Sequence, residues 1–446
     1  MRIHIGNCVV VEGGGSRKGG VVVNGDRIER VLREGEPIPD VDGEIDGEGR
    51  WLIPGIIDSH VHFREPGLTD KADIWHESRC GAMGGVTTFF DMPNTLPQTT
   101  NKEALEEKIR LGKKNSIINY SFFLGATNGN WKELREADKG KIPGIKLFMG
   151  SSTGDMLVDG REALDNIFSL EGLPIMAHCE DSGIIKRNME EARKRWGDDP
   201  PIGLHPKIRS REACIRSVEK ALEMAERHGS RLHVAHVSTK EEVELLSGKH
   251  KENERITMEA VTGHIVFDKV DYERLGAKIK VNPAIKDKED RDAIRKAINE
   301  GEINTIGTDH APHLYKEKEG GSGKALSGMP IIQFSLPLLL SELEGEIGIE
   351  RLVELMCHNP AKIFGVRDRG YIREGYYADL VLVGKSERWK VKKEDIRSKC
   401  KWSPVEGKEL GYRVYRTICN GRTIYKDGEI IEGEGGKAIE FDHGRE

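Results

Sequence analysis

Two histidines stand close together in Asp58-Ser59-His60-Val61-His62, at the end of an apolar run that begins near Pro54-Gly55. In an extended strand, residues i and i+2 point to the same side, so the two imidazoles project together. Convergent nitrogen donors are what a zinc ion needs, at bond lengths of ~2.0–2.1 Å. Three more apolar runs close on similar chemistry: Pro174-Ile175-Met176-Ala177 ends in His178, Leu232-His233-Val234-Ala235 in His236, and Thr305-Ile306-Gly307-Thr308 in Asp309. His310, Pro312 and His313 follow at once. Core packing does not account for this recurrence, because polar and charged groups are costly in a core unless paired. The pattern predicts a metal site gathered from several strand ends.

Lys146 poses a separate question. Gly144-Ile145-Lys146-Leu147-Phe148-Met149 sets an ammonium inside an apolar strand. The side chain either points outward, pairs with a carboxylate, or reacts with carbon dioxide beside the metal. That reaction turns a positive group into a negative one with two oxygens able to bridge two cations. Asp155, shortly downstream, is an alternative acidic ligand if the lysine stays unmodified.

Positioning these groups requires a particular architecture. Apolar runs at 52–57, 86–91, 117–123, 145–149, 174–177, 232–237, 256–261 and 305–307 alternate with helical patterns such as 102–111, 211–228 and 290–299. Most are near-continuous Val, Ile and Phe, as expected of strands buried on both faces. Eight such alternations predict an α/β fold, a (β/α)₈ TIM-type barrel over 54–365, whose strand ends converge on one rim. A further β-like run, 277–281, fits that count poorly. Short glycine-broken strands at both ends predict a small β-sandwich domain built from 1–53 plus 366–446. The stretch 315–328 is rich in Gly, Lys and Ser without periodicity and reads as a mobile loop, a candidate lid.

Composition narrows the class. With 446 residues the chain exceeds the ~250–300 at which single cores stop growing, so a second module is expected. A net charge of −6 with interspersed signs argues against a nucleic-acid partner. Seven scattered cysteines without a CxxC pair argue against a disulfide framework and point to a reducing, cytoplasmic setting. No apolar stretch is long enough for a membrane span, and no signal peptide is evident.

The stretch Pro54-Gly55-Ile56-Ile57-Asp58-Ser59-His60-Val61-His62-Phe63-Arg64-Glu65-Pro66-Gly67 resembles the signature of the dihydroorotases in the cyclic amidohydrolase superfamily. Also similar are Asp91-Met92-Pro93-Asn94-Thr95, Lys280-Val281-Asn282-Pro283, Thr308-Asp309-His310-Ala311-Pro312-His313, His358-Asn359-Pro360-Ala361 and Trp402-Ser403-Pro404-Val405-Glu406-Gly407. The resemblance implies two Zn²⁺ per subunit: His60, His62 and Asp309 on one, His178 and His236 on the other, and a carboxylated Lys146 bridging them. It implies Arg64, Asn94 and His313 as ligands of a substrate carboxylate and Asn282 as a contact to the ring. Asp309 would be the catalytic proton shuttle. The implied reaction is the reversible cyclisation of N-carbamoyl-L-aspartate to L-dihydroorotate with loss of water, in de novo pyrimidine (UMP) biosynthesis. An allantoinase or hydantoinase and a catalytically silent scaffold are the alternatives. As partners, the resemblance suggests a small-molecule substrate and leaves open a homodimer and association with aspartate transcarbamoylase.

Overall fold

The computed structural model describes residues 1–150 and 156–444. The amino-terminal arm forms β1 (Arg2–Glu12), β2 (Gly15–Asn24), β3 (Arg27–Arg33), β4 (Gly43–Asp46) and β5 (Trp51–Pro54). The chain then enters a barrel through β6 (Ile56–Val61), β7 (Val86–Asp91), β8 (Asn119–Phe122), β9 (Leu124–Gly125), β10 (Ile145–Phe148), β11 (Pro174–His178), β12 (Arg231–Val234), β13 (Ile256–Val261) and β14 (Thr305–Gly307). It leaves through β15 (Leu380–Lys390), β16 (Glu409–Cys419), β17 (Arg422–Lys426) and β18 (Glu429–Ile430).

All barrel pairings are parallel, in the order β6-β7-β8 and β9-β10-β11-β12-β13-β14. β8 and β9 are two halves of one strand interrupted at Phe123, which gives eight strands. Closure runs from β14 back to β6: Val61 bridges His310, and the His62 N–H donates to the His310 carbonyl at 2.8 Å. Helices between the strands follow local signals. Arg211–His228 starts at Ser210, whose side chain accepts from the Ala213 N–H, and stops at Gly229 with φ +66°. Its buried face, including Ala213, Ser217, Val218, Ala221, Leu222 and Ala225, repeats at helical spacing against the barrel.

The two chain ends merge into one nine-stranded sheet, with β5 between β1 and β15. Alternation along its strands sends Val10, Val23, Leu52, Leu380 and Leu382 into their own cluster, while Val11, Ile53, Val381 and Val383 join the core shared with the barrel. Edge strand β3 turns back onto the segment before β15: Ile28 N–H donates to Tyr376 O at 2.8 Å, and Ala378 N–H to Asp26 O at 2.9 Å.

Three readings of the sequence are corrected. The run 52–57 is two strands, not one, split at Gly55 where the chain passes from the terminal sheet into the barrel. A Cβ on Gly55 would lie 2.1 Å from Thr87 Oγ1, so only glycine fits the crossing. The run 277–281 is no strand: Gly276 at φ +55° opens a 3₁₀ turn, Gly276–Ile279. The stretch 315–328 does not stand free. It contains a 3₁₀ turn, Tyr315–Lys318, and is tied to its surroundings by Lys280 Nζ, which donates to Ser322 O, by Lys318 Nζ, which donates to Lys280 O, and by backbone N–H groups that donate to Asp199.

Candidate functional site

The barrel's strand ends place the metal-type donors together. His60 lies in β6 and His62 just beyond it, Lys146 in β10, His178 at the end of β11, His236 past β12 and Asp309 past β14. Asp309 Oδ1 stands 3.5 Å from His60 Nε2 and 3.1 Å from His62 Nε2, and the three residues form a group able to hold a metal ion. Donors sharing one tetrahedral zinc sit roughly 3.3 Å apart at the usual bond lengths, so this spacing fits. A second pair faces them, with His178 Nδ1 at 2.9 Å from His236 Nε2. Lys146 Nζ is buried without a hydrogen-bond partner. His236 and Asp309 adopt φ +39° and +48°, and Arg64 +69°, in the region that non-glycine residues avoid at a cost of ~1–3 kcal/mol.

The far nitrogens of the imidazoles fix the rings. His60 Nδ1 meets Glu259 Oε2 at 2.7 Å and His62 Nδ1 meets Asn94 Oδ1 at 2.8 Å, while His178 Nε2 lies 3.0 Å from Glu180 Oε2 as an ion-pair contact outside hydrogen-bond geometry. Such partners settle which nitrogen is left for a metal. Glu180 is itself paired with Arg209, and against the opposing effect of burial this guanidinium and His178 lower its carboxyl to about 2. Burial holds the Glu259 carboxyl above the usual range and the Lys146 ammonium below its own. Burial lowers His62 to about 4 and His60 and His236 well below the ordinary imidazole, so all three are neutral donors near pH 7. Burial alone would raise the Asp309 carboxyl, but the polar groups around it, including a hydrogen bond from His62 and the Lys146 side chain, bring it below the usual carboxylate range.

The ten residues that the resemblance assigns to the site line one cavity of about 930 Å³: His60, His62, Arg64, Asn94, Lys146, His178, His236, Asn282, Asp309 and His313. Arg64 Nε donates to Pro312 O at 3.0 Å, and a terminal guanidinium nitrogen stands 3.1 Å from His313 Nε2. Asn94 sits against His62 instead of acting only as a turn residue. Asn282 lines the wall with a buried, unpaired Oδ1. Asp155 lies outside the described residues.

Sequence reasoning missed several supports. Glu259, an acid inside the apolar run of β13, carries the same signal that flagged Lys146 and was legible on that ground. Asp58 accepts from Thr308 Oγ1 at 2.6 Å, Thr308 N–H at 3.1 Å and His60 N–H at 3.2 Å, locking the first strand to the last. Burial raises its carboxyl to about 7 in spite of these bonds. His310 points away from the donors, toward Glu77 Oε2 at 2.9 Å. Lys71, 3.4 Å from His313 Nδ1, had no signal beyond a charge.

Fold and site together define a class: a (β/α)₈ barrel enzyme with a metal-type donor group at the carboxyl ends of its strands. The chain belongs to the amidohydrolase family, whose model matches residues 51–424. It is 34% identical over 382 residues to the dihydroorotase of Methanosphaera stadtmanae, spanning 85% of this chain and 87% of that protein. It is 31% identical to the allantoinase of Desulfitobacterium hafniense, over 97% of each chain. Among solved structures, the L-hydantoinase (dihydropyrimidinase) of Arthrobacter aurescens superposes with a TM-score of 0.94 at 27% identity, covering 98% of this chain and 99% of the other.

Proposed function

We propose that this protein is a dihydroorotase, interconverting N-carbamoyl-L-aspartate and L-dihydroorotate with loss or gain of water. One observation carries the reading: the metal-type donors share a cavity with Arg64 and His313, and its lining is cationic. Among the described residues, Arg64, Lys71, Lys186, Arg209 and Lys280 line it, and Asp309 is the one acid that does. Such a cavity suits a substrate that brings its own carboxylate, which a guanidinium can grip with two parallel hydrogen bonds. The dihydroorotases among its relatives support the same substrate.

The donors fit two Zn²⁺. His60, His62 and Asp309 would hold one and His178 and His236 the other, with Lys146 between them as a carboxylate formed from its amine and carbon dioxide. The unpartnered, buried Lys146 amine supports that modification, since a lone ammonium is costly there and an anion beside bound cations would not be. Bound zinc would supply a water that ionises near neutral pH and an electrophile for the amide carbonyl. Arg64, Asn94 and His313 hold the substrate carboxylate, and Asn282 contacts the ring, which fixes the reacting carbonyl. Asp309, ionised at neutral pH, takes the proton of the attacking water and delivers it to the ring nitrogen; ring closure runs the same transfer backwards. The segment 315–328, which forms one wall, excludes water from the site.

The division into 1–53 plus 366–446 and 54–365 belongs to the same reading, because β5 pairs with β1 and β15 while β6 begins the barrel. The seven free cysteines suit a reducing cytoplasm. Among the described residues, no helix is long and apolar enough to cross a membrane. A homodimer and association with aspartate transcarbamoylase remain part of the proposal for size-exclusion and pull-down tests.

A panel of carbamoyl aspartate, dihydroorotate, allantoin and hydantoin, with and without chelator, tests the function. Turnover of the first pair, lost with chelator and restored by zinc, is expected. Turnover of allantoin or hydantoin alone would move the protein to the sister activity that its allantoinase and hydantoinase relatives suggest. Tight zinc binding without any turnover would make it a silent scaffold.

A further inference from the structure

Beside the carboxylate-binding residues, two lysines are buried without an acidic partner. Lys280 Nζ donates to the carbonyls of Ser322, at 2.8 Å, and Ala325. Lys318 Nζ donates to Lys280 O at 3.1 Å, Leu326 O at 2.6 Å and Gly328 O at 2.7 Å. Their residues are only 4% and 6% exposed, and among the described residues no carboxylate oxygen lies within 4.0 Å of either nitrogen. Three carbonyls around Lys318 match the three N–H donors of an ammonium; a neutral amine has only two. Buried charges of this kind normally sit beside a counter-ion.

Four of the five carbonyls belong to the segment 315–328 and the fifth is that of Lys280, which also lines the cavity two residues before Asn282. The lysines thus fasten that wall with carbonyl oxygens alone. Burial lowers Lys280 only to about 8, so it keeps its charge near pH 7, and with no carboxylate beside it that charge reaches whatever binds in the cavity.

We propose that Lys280, supported by Lys318, is a specificity-determining residue that favours the doubly negative open-chain substrate over the singly negative ring. This rests on the dihydroorotase reading: carbamoyl aspartate carries two carboxylates and dihydroorotate one. A fixed cation stabilises the first more than the second in proportion to charge. Across roughly 10 Å at an effective dielectric of about 20, the extra charge is worth on the order of a tenfold difference in binding, and less with more solvent in the cavity.

Lys280→Gln is the test, because the amide keeps two N–H donors for Ser322 O and Ala325 O and loses the charge. The reaction equilibrium fixes the ratio of the two kcat/KM values, so the effect must be read in the separate KM values. The KM for carbamoyl aspartate is expected to rise threefold to tenfold more than that for dihydroorotate. Equal rises would reduce Lys280 to a fastener of the loop and overturn the proposal, as would no change in either. Should the variant fail to fold, a salt titration of the native enzyme decides: the KM for carbamoyl aspartate must climb more steeply with ionic strength, and parallel slopes overturn the idea. A native enzyme that turns over neither compound would defeat the functional assignment itself, and this inference would fall with it.

Discussion

Asp309 and Glu259 divide the work of the site between a side chain that touches the reacting atoms and one that acts through a neighbour. Asp309 stands among the imidazoles with its carboxylate held below the usual range, and among the described residues no other acid lines the cavity. Asp309→Ala is expected to cut turnover by ~10²–10⁴ in both directions, measured with the two substrates. Substantial residual activity would remove Asp309 as the proton carrier. Glu259 Oε2 accepts from His60 Nδ1 and also from the His236 N–H at 3.2 Å. Glu259→Gln removes the charge that fixes the His60 tautomer, and zinc affinity should fall ~10–100-fold in competition with a chromogenic chelator. Unaltered affinity would mean that packing alone orients the ring.

Among the elements, the contact between β6 and β14 matters most, because it sets His60 against Asp309. It depends on Asp58, buried at the closure of the barrel. Asp58→Ala strands the Thr308 hydroxyl and two backbone N–H groups, at an expected cost on the order of 2–4 kcal/mol. Denaturant titration should record that loss, and zinc content should drop with it as Asp309 loses its supported turn. A stable variant with full metal content would show that strand pairing suffices. The same scale explains where sequence reading fell short. Periodicity located the apolar runs, yet it could not tell that 52–57 breaks at Gly55, because the break serves packing against Thr87. Nor could it see that the glycines and lysines of 315–328 tie down a wall, since their partners Asp199 and Lys280 are distant in sequence.

For the molecule as a whole, buried neutral histidines set the response to acid. Burial lowers His233, between Thr257 and Thr305, to about 4, and lowers His264, bonded to Pro283 O, to about 4 as well. The unfolded chain takes up these protons at about 6.5 and the folded one only near 4. Stability therefore rises with pH across that window and is lost as pH falls from about 6.5 toward 4. Each histidine contributes up to about 1.4 kcal/mol per pH unit there. Comparing stability–pH curves of native protein and His233→Gln checks this. The variant's curve should be flatter between those limits, and superimposable slopes would refute the assignment.

The chain itself determined which chemistry is on offer. Paired histidines, their recurrence after apolar runs, and a lysine where no charge belongs all follow from side-chain type and the two-residue repeat of a strand. Those rules are local and can be read without coordinates. Tertiary structure alone decided which nitrogen of each imidazole faces the centre, that Asn94 supports His62, and that Asp58 joins the first strand to the last. Those outcomes depend on contacts between residues as far apart as 58 and 308, and only closure of the barrel brings such pairs within hydrogen-bonding distance.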